Sequence, residues 1–253
     1  IIDRGTFTEA QKNIIYQTKT DRAGSDRINP VRWVCSNVIS GISIIGNVKV
    51  KDNNGQIEIK RNKIMWSEPY KPDTFTLGKS RTIGRLDGDP IVALESFNGV
   101  LFVIKKNNVF TCDPAQNFRE VQNIPGVGTE WKNAVTLTPK GIAVANKSGI
   151  FLLPEMVDIT LGIKDEFQKL TFSNPTLGFS PKKNDLVFIP NTGELNSQSR
   201  ERYIFNITNS GWTKETMDDP ETADQSSTIG NFIVGETGFL EYLSEGTSGL
   251  RMH

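Results

Sequence analysis

Apolar and polar residues form short alternating runs along this chain, and the runs recur at a nearly constant spacing. The clearest unit spans Ile91–Cys112, with turn pairs at Asn98-Gly99 and Asn107-Asn108 between its apolar runs. Asn-Gly between such runs is typical of a β-hairpin, because the turn needs positive φ and Gly adopts it without steric cost. The pattern predicts three or four short strands per unit.

Three further units of this kind follow, at residues 134–153, 176–207 and 228–243. The predicted first turns lie at Gly99, Gly141, Asn184 and Gly230, in steps of 42, 43 and 46 residues. Periods of this size, with up to four strands per unit, indicate propeller blades. We therefore expect an all-β β-propeller with four clear blade-like repeats, about five to seven blades if closed, and a β-rich N-terminal extension.

Inside the repeats, alternation predicts that Val92, Leu94, Leu101 and Val103 point to one face of the sheet and their polar neighbours to the other. A blade cannot bury both faces alone, so packing against the next blade is expected to complete its core. Helical spacing occurs only at Lys164–Leu170, where one or two turns are expected.

We divide the chain into residues 1–56, an N-terminal arm and hairpin region or else a first blade, and residues 57–253, the propeller repeats. Val48–Lys51 and Gln56–Lys60 are predicted to form a hairpin around the turn Asp52–Gly55. The two prolines of Glu68–Phe75 predict an ordered connector rather than a strand, because Pro cannot donate a ladder hydrogen bond.

Composition narrows the functional classes. The 253 residues carry 29 Lys and Arg against 29 Asp and Glu, which argues against a generally basic nucleic-acid binder but leaves a local basic surface open. No apolar run approaches the ~20 residues that cross a bilayer. The start at Ile1 without Met suggests a piece of a longer protein.

The residues that usually carry nucleophilic or metal chemistry are scarce. Cys35 and Cys112 are expected to be inert core thiols, although one disulfide between them is conceivable. His253 is the only histidine and is the last residue, which argues against Ser-His-Asp or Cys-His catalysis and against His-ligated zinc.

Three short motifs fail the tests for ligand-binding loops. Gly78-Lys79-Ser80 lacks the earlier glycine of a phosphate loop and is interpreted as a surface turn. Gly126-Val127-Gly128 lacks the third glycine of a dinucleotide fingerprint. The turn at Asp87-Gly88-Asp89 offers two carboxylates, too few for calcium, and turn chemistry explains both.

A glycosidase would need two convergent carboxylates, and the sequence cannot show which acids meet. The candidates are Asp87, Asp89, Glu95, Asp185 and Glu236. Stacking on bases or sugars would use exposed tryptophans, but each of the four lies in or beside a predicted strand, where packing between blades is the better interpretation. They are Trp33, Trp66, Trp131 and Trp212. We assign no catalytic, cofactor-binding or metal-binding residue.

Two segments resemble a family. Ile64–Phe75, with its Trp-Ser-Glu-Pro, and Gly88–Phe110, with its Gly-Asp-Pro-Ile, are similar to the propeller-bearing tail tube or nozzle proteins of short-tailed bacteriophages. The match covers about 47 residues, and the blade layout extends to Leu243. Proteins of that family are usually much longer, so the chain would be one domain of such a protein.

The resemblance implies a virion structural protein: an oligomeric tail or neck component, made in the host cytoplasm, that surrounds the channel through which DNA leaves the capsid. Its implied partners are other copies of itself in a ring, other tail or neck proteins, and genomic DNA that passes without sequence-specific binding. No enzyme activity and no cofactor are expected. One alternative is a propeller module that presents rim loops to protein or glycan. A carboxylate-based glycosidase is a further, weaker alternative.

Overall fold

The structure is a computed structural model that describes residues 15–17, 29–30, 32–51, 56–172, 174–190, 199–218, 228–234, 240–246 and 249–252. It divides into two compact units, residues 1–126 and residues 127–253. Strands dominate both units. The described helices are one α-helical turn, α1 (Lys164–Phe167), and three 3₁₀ turns at Pro114–Gln116, Lys132–Ala134 and Ile159–Ile163.

The first unit contains ten described strands in two sheets. They are β1 (Ile15–Gln17), β2 (Asn29–Pro30), β3 (Arg32–Ile39), β4 (Ile42–Lys51), β5 (Ile57–Glu68), β6 (Lys71–Thr82), β7 (Ile91–Phe97), β8 (Val100–Lys105), β9 (Asn108–Asp113) and β10 (Arg119–Pro125). Sheet A has the order β2-β1-β6-β5-β4-β3, and sheet B has the order β10-β9-β8-β7. In sheet B each strand pairs antiparallel with the next along the chain, which is the meander of a propeller blade.

The second unit contains eleven described strands in three sheets. They are β11 (Val135–Thr138), β12 (Gly141–Asn146), β13 (Gly149–Leu153), β14 (Val157–Asp158), β15 (Thr176–Ser180), β16 (Asp185–Ile189), β17 (Ser199–Asn206), β18 (Gly211–Asp218), β19 (Thr228–Val234), β20 (Leu240–Gly246) and β21 (Gly249–Met252). Sheets C (β11 to β14) and D (β15 to β18) are four-stranded meanders, and sheet E (β19 to β21) has three described strands. The chain is thus all-β and built from consecutive blade-type sheets, so the predicted β-propeller class is confirmed.

Each unit has a core made where two of its sheets pack together. In the first unit, buried side chains of sheets A and B form one cluster: Cys35, Ile39, Ile44, Ile64, Trp66, Ile83, Ile91, Leu94, Leu101, Val103, Phe110, Cys112 and Phe118. In the second unit, Ala143, Ile150 and Leu152 of sheet C pack with Leu177, Phe188 and Phe205 of sheet D, and Phe167 of α1 joins them. Sheet packing, which removes apolar surface from water, is therefore the main stabilising contact in both.

The central strands are buried on both faces. Every residue of β8 from Leu101 to Lys105 is buried, and β15 is buried throughout. The predicted alternation is therefore wrong for β8: Leu94, Leu101 and Val103 share one cluster, but their neighbours Phe102 and Ile104 are buried as well. Both faces of this central strand are therefore shielded from water.

The predicted first turns are confirmed in three of the four repeats. Gly99 and Gly141 have φ of 77° and 137°, and Asn184 is left-handed at 56°. Gly230 does not lie in a turn, because it belongs to β19, where the register with β20 shifts between Ile229 and Asn231. A glycine inside a strand often marks such a bulge, and in the sequence alone it cannot be told from a turn glycine.

The N-terminal sheet differs from the predicted order around its prolines. The hairpin joining β4 and β5 is confirmed by the pairing of Lys51 with Ile57. Glu68–Phe75 is not a connector: Glu68 pairs with Lys71 across a tight turn, and β6 begins there. Pro72 is tolerated because it falls where the β5–β6 register is irregular. The predicted boundary after residue 56 falls between β4 and β5, which pair with each other.

Two of the first turns allow a paired test. A Cβ at Gly141 would overlap the carbonyl oxygen of Leu153, whereas a Cβ at Gly99 would meet nothing within 4 Å. Gly99→Ala should cost about 1 kcal/mol of unfolding free energy, the cost of a left-handed alanine. Gly141→Ala should cost about 2–4 kcal/mol, because backbone must also move. Urea unfolding measures both, and equal losses would contradict this structure of the sheet C turn.

Candidate functional site

The acids proposed for a hydrolytic pair are held by other groups. Asp87 Oδ1 accepts a hydrogen bond from Lys105 Nζ, and Asp89 Oδ2 accepts one from Asn107 Nδ2 at 2.8 Å. Asp185 Oδ1 accepts one from an asparagine amide at 2.7 Å. Glu236 lies outside the described residues. Apart from the neighbours Asp87 and Asp89, whose carboxylates serve the turn, the described candidates are not brought together.

The structure instead brings together two other carboxylates, Glu166 of α1 and Glu201 of β17. The Tyr203 hydroxyl lies 3.2 Å from Glu166 Oε1 and 3.1 Å from Glu201 Oε2. Lys214 Nζ lies 2.8 Å from one oxygen of each carboxylate and 5.5 Å from the centre of the Tyr203 ring. These four residues, the Tyr203 cluster, join sheet D to α1.

Strand pairing explains most of the Tyr203 cluster. Glu201 and Tyr203 are two residues apart on β17 and share a face, and Lys214 of β18 lies opposite Tyr203. Arg202 points to the other face, where Arg202 Nε donates to Glu215 Oε2 at 2.7 Å. The pairing register of β17 with β18 is thus enough to place Glu201, Tyr203 and Lys214 together. It does not place Glu166, because Glu166 arrives on a helical turn from a distant part of the sequence.

The electrostatics of the Tyr203 cluster do not suit acid–base catalysis. The hydrogen bond from Lys214 holds the pKa of Glu166 below its ordinary value, and bonds to both carboxylates raise the pKa of Lys214. Burial, together with Glu201, raises the pKa of Tyr203. A glycosidase needs one carboxyl group that keeps its proton near neutral pH. The cluster instead pairs an ammonium with carboxylates and ties α1 to sheet D.

Among the described residues, Glu95 is the acid whose pKa is raised, and burial is the only cause, with no second carboxylate contributing. It lies on β7 at the seam with β3, where Asn37 Nδ2 donates to Leu94 O at 3.1 Å and lies 3.5 Å from Glu95 Oε2. Burial raises the pKa of Glu95 to about 7. With an amide rather than a second acid beside it, Glu95 titrates near neutral pH without the partner that hydrolysis requires.

The glycine motifs are structural. Gly78-Lys79-Ser80 lies within β6, so the predicted surface turn is wrong, and Lys79 Nζ bonds Glu68 Oε2 at 2.6 Å. Gly128 O accepts from Asn146 Nδ2 at 2.9 Å, a contact inside the second unit. Neither segment opens a helix, so neither provides the anion site of a nucleotide-binding loop.

The four tryptophans divide between core and surface. Trp66 is 6% exposed and its ring lies 4.9 Å from that of Phe118. Trp131 and Trp212 pack against the core of the second unit, and Trp212 Nε1 donates to a backbone carbonyl at 2.7 Å. Trp33 is 39% exposed. The prediction of a packing role therefore holds for three and leaves Trp33 at the surface.

Thiol and metal chemistry find little support in the described part of the chain. Cys35 and Cys112 are both buried and neither forms a disulfide, and burial raises the pKa of Cys112 to about 12. Among the described residues, no three His, Cys, Asp or Glu side chains group as a metal site would require. His253 lies outside the described residues. No described helix has the length and apolar character of a membrane span.

The surface offers exposed aliphatic side chains instead. Ten of the twelve large hydrophobic residues exposed among the described ones are not aromatic, and the exceptions are Trp33 and Tyr70. Among the described aliphatic residues, Leu86 is the most exposed in the first unit, at 100%, and Leu161 is the most exposed in the second, at 70%.

Comparisons with known proteins find similar solved structures at low sequence identity. No family model matches the chain, and no curated protein is detectably similar in sequence. Similar solved structures include the Dos1 propeller, with 12% identity and a TM-score of 0.48 over 87% of this chain and 56% of that one. Hsv2 of Kluyveromyces marxianus has 6% identity and a TM-score of 0.48 over 88% of this chain and 72% of that one. The Pan2 WD40 domain of Neurospora crassa has 9% identity and a TM-score of 0.47 over 86% of this chain and 73% of that one. The chain thus spans little more than half of the Dos1 propeller structure.

Glu95 makes the stability of the protein pH-dependent. Because its folded pKa lies above the ordinary 4.5, the folded state binds more protons, and stability is lost as pH rises from 4.5 through about 7. Glu95→Gln should therefore stabilise the protein by about 2–3 kcal/mol at about pH 8.5 and change little at about pH 4. Urea unfolding at the two pH values measures this difference.

The matched control is Glu120→Gln, which removes an exposed carboxylate from β10 of the same sheet. It should leave the pH dependence close to that of the unchanged protein. A Glu95→Gln protein with an unaltered pH profile would show that Glu95 is ionised in the folded state at little cost.

Proposed function

We propose that the chain is a non-catalytic scaffold of the propeller class that binds other protein chains. The observation that carries this is the state of its acidic side chains: within the described residues, the carboxylates that come together are bound by a lysine ammonium or, for Asp89, by the amide of Asn107. Glu166 and Glu201 share Lys214, and Asp87 is paired with the buried Lys105. What remains available on the rigid sheets is exposed aliphatic surface.

A protein partner fits this surface better than a glycan. Sugars and bases bind on the flat faces of aromatic rings, and only Trp33 and Tyr70 expose such rings among the described residues. Leu86, Val121 and Leu161 expose at least two thirds of their surface. Burying such side chains against a partner gains about 25 cal/mol per Å² of apolar area.

A structural role in the tail of a short-tailed bacteriophage is the more specific form of this proposal. The resemblance of Ile64–Phe75 and Gly88–Phe110 to tail tube and nozzle proteins supports it. In that setting the chain would be a virion component that contacts further copies and neighbouring tail or neck proteins around the DNA channel. Purified particles would then contain the chain in stoichiometric amount, and its absence from them would refute this form.

The native mass of the chain tests the scaffold proposal. Isolated gently from its natural source, the chain should elute in an assembly well above its own 28.1 kDa, because its exposed apolar surface is occupied. Native mass spectrometry then gives the composition. A 28.1 kDa monomer that hydrolyses glycosides and loses turnover on Glu166→Gln or Glu201→Gln would overturn the proposal in favour of an enzyme.

A further inference from the structure

In each unit, a braced corner exposes aliphatic side chains beside a charge. The first, the Leu86 corner, consists of Arg85 and Leu86 in the segment between β6 and β7. The second, the Leu161 patch, consists of Glu155, Met156, Val157 and Leu161 around β14. All six of these residues are exposed.

The Leu86 corner is anchored on both sides. Lys105, which is 0% exposed, donates from Nζ to Ile83 O at 3.0 Å before the corner and to Asp87 Oδ1 directly after it. Asp89 Oδ2 then accepts from the backbone N of Asn107 at 3.1 Å. A buried lysine is costly to desolvate, so this pair holds the turn strongly once the chain has folded.

The backbone of the Leu86 corner is fixed as well. Gly84 is buried with φ of 61°, and a Cβ there would overlap Asp87 Oδ2 and come within 2.8 Å of Phe110 Cζ. Leu86 follows this closely packed residue by two positions and is itself 100% exposed. A side chain held out on a rigid turn loses little entropy on binding, so the corner is suited to insert into an apolar surface.

The Leu161 patch exposes three apolar side chains and is also fixed. Met156 is 44%, Val157 50% and Leu161 70% exposed. Asp158, between them, accepts from the backbone N of Thr160 at 2.9 Å and from Lys164 Nζ at 2.9 Å. Burial opposes ionisation of Asp158, but these hydrogen bonds hold its pKa below the ordinary value, so the brace persists at neutral pH.

The two surfaces are complementary in charge. Residues 1–126 carry 18 Lys and Arg against 13 Asp and Glu, and residues 127–253 carry 11 against 16. The overall neutrality of the chain therefore conceals opposite net charges of +5 and −5. At closer range, Arg85 adjoins Leu86, whereas Glu155 adjoins Met156. Opposite charges of this kind steer association and set its register.

We propose that the Leu86 corner of one copy docks on the Leu161 patch of a second copy, with Arg85 facing Glu155. The inference rests on the proposed scaffold function and names its partner as the chain itself. The contact joins two different surfaces, so each copy in a pair still has one of each free. Such head-to-tail contacts extend into a closed ring or an open filament.

Self-association of the purified chain tests this contact. Sedimentation equilibrium over a roughly hundredfold range of concentration should show reversible association that weakens with salt. Leu86→Asp and Leu161→Asp should each weaken association at least about tenfold, because each places a charge in the apolar contact. Val121→Asp, which changes a 67% exposed residue of β10, is the matched control and should associate like the unchanged protein.

Mixing the two variants distinguishes this contact from a symmetric one. Leu86→Asp keeps its Leu161 patch, and Leu161→Asp keeps its Leu86 corner, so an equimolar mixture should form heterodimers that neither variant forms alone. Arg85→Glu should weaken association, and adding Glu155→Arg to the same chain should restore it. Circular dichroism and thermal unfolding would confirm that each variant is folded.

Several outcomes overturn the proposal. The first is that the unchanged protein stays monomeric over the whole concentration range. The second is that Leu86→Asp does not weaken association. The third is that the equimolar mixture of the two variants forms no heterodimers. The scaffold function would survive any of these if the native assembly contains a different protein. It would fail only if the native chain is an isolated, catalytically active monomer, so the two failures are distinguishable.

Discussion

Burial of both faces of a sheet is the constraint on which the rest of this structure depends. The central strands of the blade-type sheets are apolar on both sides: β8 is buried from Leu101 to Lys105, and β12 from Gly141 to Ala145. An isolated sheet of this kind would expose two apolar faces to water, so each sheet must pack against other parts of the chain. Sheets A and B do so in the first unit, and sheets C and D in the second.

This constraint also determines where polar chemistry occurs. Ion pairs brace the backbone at turns and at an outer strand: Lys105 with Asp87, Lys164 with Asp158, and Lys214 with Glu166. An ammonium beside a carboxylate favours the charged form, and hydrogen bonds from Lys164 and Lys214 lower the pKa of Asp158 and of Glu166 in this way. Rigid turns that expose Leu86 and Leu161 are a consequence of this bracing.

Local chemistry made part of the fold predictable. The Asn98-Gly99 turn and the hairpin between β4 and β5 follow from residues adjacent in sequence, and so does the single turn of α1. Gly230, Gly78 and Pro72 were misinterpreted because the same residue types serve turns and irregular strand positions alike. Whether such a residue lies in a turn or in an irregular part of a strand depends on the strand that pairs with it. That partner strand cannot be identified from the local sequence.

The Tyr203 cluster could be predicted only in part, for a related reason. The places of Glu201, Tyr203 and Lys214 follow from alternation and register, so a correct pairing of β17 with β18 would have grouped them. Glu166 joins through tertiary packing of α1. The burial of Lys105 was equally inaccessible, because a lysine at the end of an apolar run usually marks the point where a strand reaches water.

Hydrogen exchange of the backbone amides tests two-sided burial most directly. Strand β8 lies between β7 and β9 and is buried, whereas β10 is the outer strand of the same sheet and is exposed at every position except Ile124. The amides of β8 should therefore exchange only on global unfolding, and those of β10 through much smaller local openings. Equal, low protection of β8 and β10 would contradict the packing of sheet B against sheet A and with it the blade architecture.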